Sequence, residues 1–129
     1  MKKLIGLAFI LLFSCNAKQD SYRKAEDALD AGREYINACL VGDFSKARFY
    51  ALPDEKNLSI LAETEKEYRK KDKEGRQQLR TASIIIREVK ELTDSTTVLE
   101  YSNSFENKAS SLVILKRNQT WLVDASQNP

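Results

Sequence analysis

Histidine is absent from the 129 residues. With it go histidine metal sites, Ser-His-Asp relays and imidazole general bases, and so most hydrolytic chemistry. Cysteine occurs twice, at Cys15 and Cys39, which permits one internal disulfide at most. A surplus of either charge is also lacking, with 21 Lys and Arg against 19 Asp and Glu. Two of those cations, Lys2 and Lys3, fall in an N-terminal leader, so the remainder is balanced. Balance argues against nucleic-acid binding, which depends on excess cation to displace counterions from phosphate. The longest apolar run, Leu4 to Phe13, is too short to span a bilayer, which takes about 20 apolar residues. No internal repeat or low-complexity segment is present, and the length suits one domain.

The leader itself is informative. A short cationic start, Met1 to Lys3, precedes the apolar run, and Ser14 and Cys15 follow it. These are the parts of a secretory signal. The ending Leu12, Phe13, Ser14, Cys15 resembles the bacterial lipobox, although Phe13 is less usual at its position. The resemblance implies cleavage after residue 14 and a lipid on Cys15, which would hold the protein to a membrane by acyl burial at about 0.8 kcal/mol per CH₂. The expected organisation is a signal peptide over 1–14, a lipidated tether over 15–20 and a domain over 21–126. The expected location is the bacterial cell envelope, with the outer membrane as the expected membrane and the leaflet left open. With Cys15 lipidated, Cys39 has no partner. It lies in a helical pattern and reads as a small buried apolar residue.

The first half of the domain is helical in period. Ser21 to Leu40 predicts an amphipathic helix, with Ala25, Ala28, Ala31, Tyr35, Ile36 and Cys39 at three- and four-residue spacings. Gly42 suits a left-handed residue after its last turn, and Asp43 suits the cap of a short helix, Phe44 to Tyr50. Leu52 and Pro53 break the pattern. A third helix is predicted from Asp54 to near Lys73, with Gly75 as its exit. From Glu63 to Arg76, 11 of the 14 residues are charged, which suits a solvated arm. A basic contact with anionic lipid through Arg69, Lys70, Lys71 and Lys73 is offset by Glu65, Glu67, Asp72 and Glu74.

The second half changes to strand chemistry. Residues 82–92, 96–105, 110–117 and 120–125 are rich in β-branched and aromatic side chains, and turn residues separate them. Spacings this short allow only antiparallel hairpins. Leu99, Tyr101 and Phe105 are predicted to share a face. Leu112 to Leu115 are apolar on both faces, so this strand should be central and covered on both sides.

Helices followed by a four-stranded antiparallel meander give an α+β class, N-terminal helices packed on a curved sheet. Three stretches carry a more specific likeness: Ala31 to Ala38 (AGREYINA), Gly42 to Tyr50 (GDFSKARFY) and Ser111 to Asp124 (SLVILKRNQTWLVD). They resemble the nuclear-transport-factor-2-like, or cystatin-like, superfamily. Within it they look like small bacterial lipoproteins of a domain of unknown function once labelled lumazine-binding-like. The resemblance implies a cone in which a curved sheet wraps a long helix, and a closing hairpin with its tryptophan and terminal aspartate. It departs at Asn118 and Gln119, where the family commonly has glycine. Asparagine tolerates positive φ, so the turn should survive.

The open end of such a cone is the natural place for a ligand. Candidates to line it are Tyr35, Phe49, Tyr50, Tyr101 and Trp121, which would suit a small planar or lipid-like apolar molecule. The same rings would serve equally as core filling. No enzyme activity is expected. Asp43, Glu100 and Asp124 are the carboxylates an isomerase-like reading would recruit, and none sits in an apolar run that would raise its pKa. No cofactor or metal is expected, since Asp20, Asp27, Asp30 and Glu34 lack calcium-loop spacing. The leading expectation is a membrane-tethered, non-catalytic interaction module. It would act as a homodimer or with an envelope partner, using Ile114 and Leu115 as candidate interface residues. The alternative is a carrier of a small apolar ligand.

Overall fold

A computed structural model describes residues 22–127. The leader, Cys15 and the tether lie outside the described residues. Four helices precede four strands: α1 (Ala28–Val41), α2 (Phe44–Tyr50), α3 (Glu55–Lys70), α4 (Lys73–Arg80), β1 (Ile84–Thr93), β2 (Thr96–Asn103), β3 (Ser110–Arg117) and β4 (Thr120–Asp124).

Each helix begins at an aspartate. Asp27, Asp43, Asp54 and Asp72 accept a hydrogen bond from the backbone N–H three residues on, which satisfies one of the amides a first turn leaves unpaired. This explains two departures from the sequence reading. The first helix starts at Ala28, seven residues later than expected, because Asp27 is its cap. The preceding Tyr22 to Glu26 run as a strap, with Arg23 paired to Asp30 and the Glu26 amide bonded to the same carboxylate. The charged arm is also two helices. Lys71 turns extended and Asp72 starts α4, so Gly75 lies inside a helix and donates its N–H to Asp72 at 2.7 Å.

The sheet is an antiparallel meander in the order β1-β2-β3-β4, which places β2 and β3 centrally as expected. Register puts Thr97, Ile114 and Val123 in one row, with Leu99 opposite Leu112 and Tyr101 opposite Ser110. These side chains share one face. The core lies there: Leu99, Leu112, Ile114 and Val123 cluster with Ala31, Tyr35 and Ile36 of α1, Phe44, Ala47 and Tyr50 of α2, Leu61 of α3 and Leu79 of α4. Phe105 is not on that face. It sits beyond the end of β2 and is exposed, because β2 stops at Asn103, whose side chain accepts from the backbone N–H groups of Phe105 and Glu106.

Gly32 sets how closely α1 approaches the sheet. A Cβ there would come within 2.8 Å of both Ile114 Cδ1 and Leu99 Cδ2. Gly42 ends α1 at φ 79°, where glycine alone is unstrained, and the Tyr68 ring fills the space its side chain would need. At the far edge, Ala51 pairs in parallel with Val123, and Leu52 N–H donates to the Val123 carbonyl at 2.8 Å. The β4 edge is thus covered. The β3–β4 turn holds Asn118 and Gln119 both at positive φ, 49° and 61°. Two successive left-handed residues match the right-handed twist of the hairpin.

Asn57 ties the end of the sheet to the start of α3. Its side chain is buried, donates to Asp54 and to Asp124 at 3.0 Å, and accepts from the Ala125 N–H at 2.8 Å. Burial alone would raise the Asp124 pKa. Hydrogen bonds from Ser126, Gln127 and Asn57 outweigh it and hold the carboxyl down at about 2.

Candidate functional site

Between α1, α3, α4 and the β2–β3 end of the sheet is a cavity of about 690 Å³. The C-terminal half of α1 supplies Tyr35, Ile36, Cys39 and Leu40, which one helix face presents together because they lie one and four residues apart. Ile60, Thr64 and Tyr68 come from α3, Leu79 from α4, and Tyr101 and Leu112 from the sheet. The mouth is charged, with Glu63 and Glu67 of α3, Lys71 just beyond it, and Glu106 and Lys108 of the β2–β3 loop, all exposed.

The interior groups are neutral at ordinary pH. Burial pushes the Cys39 thiol up to about 12. It also raises Tyr35 strongly, with Cys39 and Tyr101 adding to the effect as neighbours. Tyr101 is raised by burial and by Cys39, and a hydrogen bond with Ser110, its partner in register, partly offsets this. A thiol held this far above the usual range is almost entirely protonated, so it lacks the thiolate that nucleophilic chemistry requires.

Of the five aromatic residues singled out in the sequence, the cavity brings together Tyr35 and Tyr101 only. Phe49 and Tyr50 belong to a separate cluster at the strap. Phe49 lies 4.9 Å from Tyr50 and 5.4 Å from Tyr22, and the Tyr50 hydroxyl donates to the Arg23 carbonyl. The reason is geometric: α2 starts at the C-terminal end of α1, where Asp43 N–H bonds the Ala38 carbonyl, and its far end, Phe49 and Tyr50, reaches the strap at Arg23, while the cavity opens along the C-terminal half of α1. Trp121 sits on β4 with Lys116 Nζ 5.7 Å from its ring centroid, on the hairpin rather than in the cavity. The sequence marks Ile60 and Tyr68 as apolar anchors of α3 but does not place them, or Thr64, in a pocket wall. Their four-residue spacing puts all three on one helix face.

The interface expectation is corrected at Ile114. Ile114 is fully buried beneath Gly32 and is therefore unavailable to a partner. Leu115 points to the opposite face and is half-buried. On that outer face Val98 and Val113 are buried although no core-cluster residue joins them there.

The carboxylates weighed for proton transfer are held elsewhere. Asp43 caps α2, Glu100 accepts from Lys90 at 3.1 Å, and Asp124 is in the Asn57 junction. Asp30 and Glu34 pair with Arg23 and Lys46. Among the described residues, no group of three or more metal-ligating side chains gathers and no helix is long and apolar enough to cross a membrane.

No family model and no curated protein matches the chain. One solved structure is similar: an NTF-2-like protein of unknown function from Shewanella oneidensis MR-1. It shares 14% identity at a TM-score of 0.50, with 74% of this chain and 89% of that one covered. Likeness at that identity concerns the fold. Four helices packed against a four-stranded antiparallel meander is accordingly the nuclear-transport-factor-2-like fold.

Proposed function

We propose that this chain is a lipid-anchored protein of the bacterial cell envelope whose cavity holds a small, mainly apolar molecule without turning it over. The cavity between α1, α3 and the sheet carries the reading: its volume lies within the range of small-molecule sites, and a few polar groups stand among apolar walls. The absence of catalysis is argued from the character of those groups. The interior offers the neutral phenols of Tyr35 and Tyr101 and a protonated thiol, while the carboxylates and amines are solvated at the mouth. Anchoring is argued from the leader and Cys15, which precede the domain by a short tether.

A second reading is an interaction module acting with an envelope partner or another copy. What favours it is the outer sheet face, where Leu115 and Leu122 are only half-buried.

Native mass spectrometry on the full chain, gently extracted from its own membranes, tests both. The expected spectrum carries a lipid mass at Cys15 and a small-molecule adduct that is lost on denaturation. A bare lipidated monomer would overturn the ligand reading, a fixed-ratio protein complex without adduct would favour the module, and a missing lipid mass would overturn the anchor.

A further inference from the structure

The sheet has one covered edge and one open edge. Ala51 covers β4, whereas β1 pairs with β2 alone among the described residues. β1 is ten residues long, and three of the seven exposed large apolar side chains of the described residues lie on it: Ile85, Val89 and Leu92, the last being the most exposed at 60%. A strand with open backbone groups and apolar side chains is a template for another strand. Bulges and charges are the usual protection of such an edge, and β1 carries both. Its two register shifts fall between Ile86 and Glu88 and between Glu91 and Thr93, which leaves Glu88 to Glu91 regular. Its charges are antisymmetric about Val89: Glu88 and Lys90 flank it, and Arg87 and Glu91 stand one position further out.

That antisymmetry selects one partner and one register. When two copies of a strand pair antiparallel about a twofold axis, residue i faces j and j faces i. With the axis at Val89, Glu88 faces the partner's Lys90 and Arg87 faces the partner's Glu91. Each pair occurs twice, so every charge meets its opposite. A slip of one position sets Arg87 against Lys90 or Glu88 against Glu91, and a slip of two sets Glu88 or Lys90 against its own copy. Arg87 and Glu91 are exposed, and neither belongs to an ion pair among the described residues. Lys90 already bridges Glu88 at 3.6 Å and Glu100 at 3.1 Å, and the partner's Glu88 would join that face. We infer that two copies of this chain join through β1, antiparallel about Val89, into one continuous eight-stranded sheet. None of residues 84–93 lines the cavity, so this surface stands apart from the ligand reading.

Two sets of variants test the pairing on the full chain in mild detergent. Val89→Cys places two thiols on directly opposed residues, with Cα atoms about 4.5–5.5 Å apart, and should give a covalent dimer on mild oxidation. In Ile85→Cys the two thiols lie eight positions out of register, about 25 Å apart, and the chain should not cross-link. Both carry the same buried Cys39, so it cannot account for a difference between them. The second set reverses charge. Glu88→Lys with Glu91→Lys makes this stretch wholly cationic, and Arg87→Glu with Lys90→Glu makes it wholly anionic. Each alone is expected to dimerise at least about tenfold more weakly than wild type, from the loss of four pairs of opposite charge. An equimolar mixture of the two should recover a one-to-one heterodimer, which a folding defect would not produce. Sedimentation in density-matched detergent reads both outcomes. A wild-type chain that stays monomeric at about 100 μM would overturn the pairing. So would cross-linking at Ile85→Cys as fast as at Val89→Cys, charge variants that each dimerise like wild type, or a mixture without heterodimer.

Discussion

Replacing Asn57 by alanine removes three hydrogen bonds at once from a site with almost no solvent: the donors to Asp54 and Asp124, and the acceptor of the Ala125 N–H. Two of the three involve carboxylates, each worth about 1.5–3 kcal/mol, and the Ala125 amide would be left without its partner at a cost of about 1–3 kcal/mol. These terms overlap, so the expected loss at pH 7 is about 3 kcal/mol, at the large end for a single substitution. The loss should also depend on pH. Asp124 is held at about 2 against an ordinary 3.8, which corresponds to about 2 kcal/mol of stability. Because the folded-state value is the lower one, that stability is fully present above about pH 4 and is lost as pH falls through 2. Asn57 is one of the three side chains holding the carboxyl down, so the gap between wild type and Asn57→Ala should narrow from pH 7 to pH 3. Urea unfolding at both pH values, followed by the fluorescence of the single tryptophan, Trp121, measures it. A difference below about 0.5 kcal/mol at pH 7, the size of an ordinary surface change, would refute the reasoning. So would a gap that widens in acid.

Three further outcomes are expected. Gly32→Ala should destabilise by about 1–3 kcal/mol in urea unfolding, since the new methyl meets Leu99 and Ile114 at 2.8 Å, and a neutral effect would mean that α1 lifts off freely. Gln119→Gly should stabilise by about 0.5–1 kcal/mol by relieving a left-handed residue that carries a side chain, and a lower melting temperature would contradict the turn assignment. In a Cys15→Ser chain, Cys39 should resist iodoacetamide at pH 8 and react once urea unfolds the protein, because its thiol is held at about 12, and fast native labelling would contradict that burial.

The sheet was legible because its alternation and turn chemistry were unambiguous. Ser110–Arg117 has the expected bounds, and Asn118 takes positive φ as its chemistry allows. Helix α2 was equally clear, since Asp43 and Gly42 mark its start by local chemistry alone. The α3–α4 break was hidden because Asp72 reads in sequence as one more charge in a charged run, and its capping role depends on Lys71 leaving the helical region. Ile114 shows a different limit. Apolar character on both faces of β3 correctly implied a central strand, but which face meets α1 is decided by register and by the approach Gly32 permits. The aromatic set divided for the same reason. Tyr35 and Tyr50 are both buried, yet Tyr50 ends α2 against the strap at Arg23 while Tyr35 lines the cavity, so only tertiary placement separates cavity from core.

The central claim is that the cavity, and not the outer sheet face, receives the ligand. Amide chemical-shift mapping of the isotope-labelled chain, made without its leader and with Cys15→Ser, during titration with the neutral apolar probe N-phenyl-1-naphthylamine tests it most directly. Shifts are expected at Tyr35, Cys39, Thr64, Tyr68 and Tyr101, and Val98, Val113 and Leu122 should stay still. Shifts concentrated on those last three residues, or none at saturating probe, would contradict it.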